Sequence, residues 1–176
     1  YVGEELLPRG KIVGWFQGRM EYGPRALGAR SILADPRTFD SPQKIRDTVK
    51  KRPNFQPFCP SMLKETENKY IYNPKKVDTS FMIIAFDAKQ RMINEAPAVV
   101  FIDKSTRIQT VKREYNKQFF NAIKSFAKVT GTPILLNTSF NKSGEPIVCT
   151  PNQALYDFRT SGLDFVVIEN FLVRKK

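Results

Sequence analysis

Between about residues 113 and 129, Tyr115, Phe119, Ile123, Phe126 and Ala127 recur at three- and four-residue spacing. Gly131 follows, and Pro133-Ile134-Leu135-Leu136 comes directly after it. The spacing is that of a helix with one apolar face, the glycine is a stop signal, and a short continuous apolar run reads as a buried strand. A helix that feeds a buried strand must cover the sheet to which that strand belongs, which places the chain among α/β proteins.

The rest of the chain alternates in the same way. Lys11-Ile12-Val13-Gly14-Trp15-Phe16 and Ser31-Ile32-Leu33-Ala34 read as strands, and Phe165-Val166-Val167-Ile168 and Phe171-Leu172-Val173 as two more. Phe81-Met82-Ile83-Ile84-Ala85-Phe86 and Ala98-Val99-Val100-Phe101-Ile102 are expected to be neighbouring strands across a polar turn near Gln90-Arg91. Ser41-Pro42 and Thr150-Pro151 each set a capping residue before a proline at the first helical position. The first should open a helix through about Lys50, the second one with Ala154, Leu155 and Phe158 on a single face. Arg52-Pro53, Gln56-Pro57 and Cys59-Pro60 push residues 52–60 into extended backbone, outside any strand or helix interior.

The expectation is therefore a mixed α/β fold, a twisted mixed open sheet with flanking helices, in one domain over residues 1–176. A 41% apolar and 26% charged composition is that of a chain able to build such a core. The chain starts at Tyr1 and strand-like sequence begins by about Lys11, so it is expected to be a fragment of a longer protein. No apolar run approaches the roughly 20 residues of a membrane span, and the first five residues lack the blocks of a signal peptide. A cytoplasmic location without a membrane partner is expected.

The chain has no histidine, which excludes a Ser-His-Asp triad, a Cys-His dyad and a histidine general base within it. Its two cysteines, Cys59 and Cys149, form no pair at zinc-ligand spacing and read as small apolar fillers; no metal site is expected. Lys and Arg number 29 against 17 Asp and Glu. The excess is spread along the chain, which suits a phosphate-bearing ligand, a nucleic acid or an acidic partner alike.

Three stretches carry the chemistry. After the first strand, Arg19, Arg25 and Arg30 stand within twelve residues among Gly18, Gly23 and Gly28. Arginine offers a planar fork that matches phosphate oxygens, and glycine lets backbone amides approach a ligand; alternatively these arginines pair with Glu21 and Asp35 in a solvated loop. Lys50, Lys51 and Arg52 form a second basic cluster, at a helix end where charge is ordinarily solvated. Asn137-Thr138-Ser139-Phe140-Asn141 sets short polar groups beyond a buried strand, where ligands of open α/β sheets bind, although turn chemistry also favours such residues. Arg107, in a strand-like Arg107-Ile108-Gln109-Thr110-Val111, points either into a site or into solvent.

Taken in order, Gly18-Arg19-Met20-Glu21-Tyr22-Gly23-Pro24-Arg25-Ala26-Leu27-Gly28-Ala29-Arg30, Phe55-Gln56-Pro57-Phe58-Cys59-Pro60-Ser61 and Leu135-Leu136-Asn137-Thr138-Ser139-Phe140-Asn141 resemble the C-terminal, YrdC/Sua5-like domain of the nodulation-type O-carbamoyltransferases. The resemblance implies a YrdC-like sheet that binds carbamoyl phosphate and ATP and forms carbamoyl adenylate. A Kae1-like N-terminal domain of the same chain would then transfer the carbamoyl group to an acceptor hydroxyl. It implies Arg25, Lys50 and Arg107 as catalytic residues, Arg19, Arg30, Arg52, Asn137, Thr138, Ser139 and Asn141 as substrate-binding ones, and Mg²⁺ held mostly by the nucleotide.

The chain departs from the family pattern at Gln56, where arginine is usual. It departs again at Phe101 and Lys104, where histidine and glycine are usual, and at Ala29, where asparagine is common. Two other readings compete with catalysis. One is a nucleic-acid-binding module, motivated by the positive charge and disfavoured by the lack of evident aromatic stacking platforms. The other is a non-catalytic docking module, motivated by Gln56.

Overall fold

A computed structural model describes residues 1–53 and 55–175; Asn54, within the stretch expected to be extended, and Lys176 lie outside the described residues. In chain order the strands are β1 (Val13–Phe16), β2 (Arg30–Ala34), β3 (Cys59–Leu63), β4 (Phe86–Asp87), β5 (Ser105–Thr106), β6 (Gln109–Val111), β7 (Ile134–Ser139), β8 (Phe165–Ile168) and β9 (Phe171–Arg174). The helices are α1 (Asp40–Ile45), α2 (Glu67–Tyr70), α3 (Gln90–Glu95), α4 (Lys117–Thr130) and α5 (Pro151–Thr160).

Seven strands form one sheet in the order β6-β3-β7-β2-β1-β8-β9, and β4 pairs with β5 apart from it. β1 runs parallel to β8 and β3 to β6, while the other neighbours are antiparallel. This is the mixed α/β sheet expected. Its alternating side chains feed two cores. Val13, Leu33, Leu135 and Val167 face Phe119, Ile123 and Phe126 of α4, whereas Ile32, Leu136 and Val166 face Phe158 of α5 and the α1 region.

The helix ends follow local chemistry. Asn116 Oδ1 accepts from the Phe119 amide at 3.0 Å and Gly131 closes α4 in the left-handed region. Tyr115 thus precedes the helix and is 73% exposed, so it belongs to no apolar face. Thr150 and Gln153 form a reciprocal capping box at α5, with Ala154 and Phe158 buried and Leu155 half-buried. The Ser41-Pro42 cap is not made, because α1 begins at Asp40 and Ser41 Oγ donates to the Gly10 carbonyl at 2.9 Å.

Four further sequence expectations are corrected. The 81–86 run is largely irregular, with Ile83 75% exposed; only Phe86 enters a strand, and it pairs with Thr106. Pro97 opens a short helical turn, Pro97–Val99, so the 98–102 run is no strand, in keeping with the fixed φ of proline. Gln90-Arg91 lie in α3, where Arg91 pairs with Glu95 one turn on at 2.8 Å. Cys59 and Pro60 belong to β3, and Pro60 precedes the stretch of β3 that pairs with β6. Among the described residues no helix is long and apolar enough to cross a membrane.

Candidate functional site

The loop between β1 and β2 is organised by a carboxylate. Glu21 Oε1 accepts from the backbone amides of Leu27 at 2.6 Å and Ala29 at 2.7 Å. Arg30 closes the loop from the other side. Its Nη1 donates to the carbonyls of Gln17, Gly18 and Ala29, each at 3.0 Å, and its guanidinium lies 3.4 Å from the Phe16 ring centre. Buried, with Nη1 engaged and Nε without a partner among the described residues, Arg30 anchors the loop. Arg19 is exposed and stands outside the cavity described next. The pairing of loop arginines with Glu21 and Asp35 is not made either, since Asp35 takes Arg37 through Nε and Nη2.

Beneath this loop lies a cavity of about 110 Å³. Arg25 enters it from the loop, Arg52 from the segment after α1, and Arg107 from the junction of β5 and β6; Asn137, Thr138 and Ser139 supply its polar floor. No carboxylate among the described residues lines it. Among the described residues, the Nε atoms of Arg52 and Arg107 are buried without a hydrogen-bond partner, and Arg107 Nη2 faces the Cys59 sulfur at 3.2 Å. The Arg52 guanidinium stacks 4.0 Å from the Phe58 ring centre, and burial, then the neighbouring Arg46, push its pKa down. Desolvated cations whose donors lack acceptors are poised to take up an anion.

Residues 137–139 belong to β7 itself, not to a loop beyond it, because β2 and β3 pair with the strand through Ser139 and Asn137. Asn137 is 1% exposed, and its Nδ2 faces the Ala26 carbonyl at 3.0 Å, Ser61 Oγ at 2.8 Å and Gln109 Oε1 at 3.2 Å. Its Oδ1 has no partner among the described residues.

Lys50 is buried, in contrast with a solvated helix end, and does not line the cavity. Its Nζ contacts the carbonyls of Ser139 at 2.6 Å and Asn141 at 2.9 Å, Asn141 Oδ1 at 2.7 Å and Ser139 Oγ at 3.1 Å. Burial and the nearby Arg52 lower its pKa to about 7. Lys50 and Asn141 thus hold the end of β7, with Lys50 placed to position Ser139.

The structure therefore brings Arg25, Arg52, Arg107, Asn137, Thr138 and Ser139 together, sets Lys50 and Asn141 one layer back, and leaves Arg19 and Arg30 elsewhere. Sequence reasoning missed Glu21 as the loop's centre, although it is the one carboxylate among those glycines and arginines. It also missed Cys59 and Met82 as lining residues. Met82 is buried with φ at 54°, and nothing in its sequence surroundings marks it. Among the described residues no group of three His, Cys, Asp or Glu side chains is placed to hold a metal ion.

Residues 4–175 match the model of the carbamoyltransferase C-terminus family. The chain is 42% identical over 173 residues to the nodulation protein NolNO of Sinorhizobium fredii, covering 98% of this chain and 25% of that protein. It is 42% identical to NolO of Bradyrhizobium diazoefficiens, covering 98% and 32%. It is 30% identical over 162 residues to the 3'-hydroxymethylcephem-O-carbamoyltransferase of Amycolatopsis lactamdurans, covering 92% and 30%. The chain thus spans a third or less of the length of these curated relatives. Full-length HypF in its phosphate- and nucleotide-bound form superposes with a TM-score of 0.64 at 20% identity, covering 93% of this chain and 20% of that one; this likeness bears on the fold. The chain belongs to the carbamoyltransferase C-terminus family.

Proposed function

We propose that this domain binds carbamoyl phosphate in the arginine cavity and prepares its carbamoyl group for transfer, as part of an O-carbamoyltransferase. The observation that carries the reading is the convergence of Arg25, Arg52 and Arg107 on a cavity that no carboxylate lines among the described residues. At about 110 Å³ the cavity is well below the ~300 Å³ at which drug-sized sites begin. A small anion fits; the bulk of a nucleotide must lie outside.

In the reaction proposed, carbamoyl phosphate, ATP and water give carbamoyl adenylate, inorganic phosphate and pyrophosphate. The activated carbamoyl group then passes to a hydroxyl bound by a Kae1-like N-terminal domain, the bond to AMP breaking as the new ester bond forms, with AMP leaving and the hydroxyl proton released. Negative charge gathers while phosphate leaves and carbamate meets the α-phosphate, and fixed cations and amide donors stabilise that charge without a proton shuttle. With no acidic ligand set among the described residues, Mg²⁺ would ride on nucleotide oxygens.

The test is thermal unfolding of the chain with carbamoyl phosphate, with ATP-Mg and with both, beside an Arg25→Ala, Arg107→Ala double variant. A ligand at a hundred times its Kd adds about 2.7 kcal/mol of stability. Protection by carbamoyl phosphate that disappears in the double variant is expected; absence of protection in the unaltered chain, at saturating ligand, overturns the reading.

A further inference from the structure

The loop over the arginine cavity is pinned on both sides of a short free span. On one side the Glu21 carboxylate accepts from the Leu27 amide at 2.6 Å and the Ala29 amide at 2.7 Å. On the other, the Ala26 carbonyl accepts from Asn137 Nδ2 at 3.0 Å and the Leu27 carbonyl from Gln109 Nε2 at 2.9 Å. Between these pins stand Tyr22, Gly23, Pro24 and Arg25, all exposed and outside any strand or helix. Among the described residues none of the four makes a backbone hydrogen bond, and Gly23 turns the chain at a φ of +123°. An exposed segment without hydrogen bonds opens and closes at little cost while its pinned neighbours stay in place.

Pro24 and Arg25 line the cavity, whereas Tyr22 is wholly exposed and does not. Two residues of chain span at most about 7 Å, so Tyr22 stands within that distance of Pro24. An aromatic ring in solvent beside a cavity mouth gains by covering it, and Arg25 supplies the trigger, since an anion that takes its guanidinium draws on the same free span. Resting on the reading of the cavity as a carbamoyl phosphate site, we infer that residues 22–25 form a flap that closes when the anion engages Arg25 and lays the Tyr22 ring across the mouth. Glu21 and Ala26 mark its two ends. The open flap admits the ligand, and the closed flap keeps water from the activated carbamoyl group.

Chymotrypsin cuts exposed chain after aromatic residues, so Tyr22 in the flap and Tyr115, exposed and away from the cavity, form a test and a control in one digest. Brief digestion followed by mass spectrometry should show both cuts in the free chain. With saturating carbamoyl phosphate the cut after Tyr22 should slow about tenfold, the factor for a flap closed about nine-tenths of the time, and the cut after Tyr115 should not change. Because Tyr22 is wholly exposed in the open form, Tyr22→Ala should leave the unfolding temperature of the free chain as it is. The same variant should weaken carbamoyl phosphate binding about fivefold in a calorimetric titration, through faster release. Equal cutting after Tyr22 with and without ligand, in a chain whose unfolding temperature the ligand still raises, overturns the flap alone. So does a Tyr22→Ala variant that binds as tightly as the unaltered chain. No rise in unfolding temperature at saturating ligand overturns the flap together with the carbamoyl phosphate reading.

Discussion

Lys50 grips Ser139 twice, through the backbone carbonyl at 2.6 Å and through the hydroxyl at 3.1 Å, so a buried ammonium on the segment after α1 fixes the last residue of β7. The arrangement has a pH signature. The Lys50 pKa lies near 7, against about 10.4 for an unfolded lysine. Below pH 7 the burial penalty is present in full. From pH 7 toward 10 the unfolded chain holds a proton that the folded chain has released, so stability rises with pH. Relative to a Lys50→Met variant, the unaltered chain should gain up to about 1.4 kcal/mol per pH unit over that window. Denaturant unfolding of both proteins at several pH values checks this, and a difference independent of pH would refute it.

The two arginines removed from the cavity should behave oppositely. Arg30→Lys loses the stack on Phe16 and cannot reproduce the contacts to three carbonyls, so a loss of about 1.5–3 kcal/mol is expected. Arg19→Ala, at an exposed position, should change stability by less than about 0.5 kcal/mol. Denaturation midpoints measured side by side decide the matter.

Gly28 and Gly23 both have left-handed backbone, at φ of +103° and +123°, yet only one is hemmed in. A Cβ on Gly28 would fall 2.2 Å from Phe119 Cδ1, whereas one on Gly23 would meet nothing within 4 Å. Alanine at either site strains the backbone; at Gly28 it also drives the loop off α4. Gly28→Ala should therefore cost about 1–3 kcal/mol more than Gly23→Ala in thermal or denaturant unfolding.

Gln56, the departure that motivated a non-catalytic reading, is exposed and does not line the cavity. An arginine placed there adds a screened charge at the rim. Gln56→Arg should raise affinity for carbamoyl phosphate by less than about fivefold at physiological salt, with most of the gain lost in high salt. A much larger effect in titrations would show that residue 56 reaches the ligand.

The sheet was legible where local signals agree: the α4 periodicity with its glycine stop, the Thr150 cap before Pro151, and the apolar runs of β1, β2, β7 and β8 all form as read. It was illegible where tertiary pairing decides. Residues 81–86 and 98–102 have strand-like composition, but composition does not supply a neighbouring edge, and Pro97 takes its segment into a helical turn. The site was legible in residue type more than in role. Arg25, Arg52, Arg107 and 137–139 converge, whereas nothing local separates Arg30, facing three carbonyls, from Arg25, facing a cavity. That distinction depends on contacts with Gln17 and Gly18, which lie 13 and 12 residues away in sequence.

The cavity is assembled from residues 24–26, 52, 57–59, 82, 107 and 137–139. None of them holds it alone, and the pairing of β3 with both β6 and β7 is what brings Cys59, Arg107 and Asn137 side by side. Those contacts close long loops and so belong to the non-local part of folding, which is the slowest to form. On the proposed reading, anion binding would report completed topology: a chain that has its helices but not its central strand pairings should be blind to the ligand. Ligand present during refolding should therefore act by trapping the finished domain, without hastening the first helices.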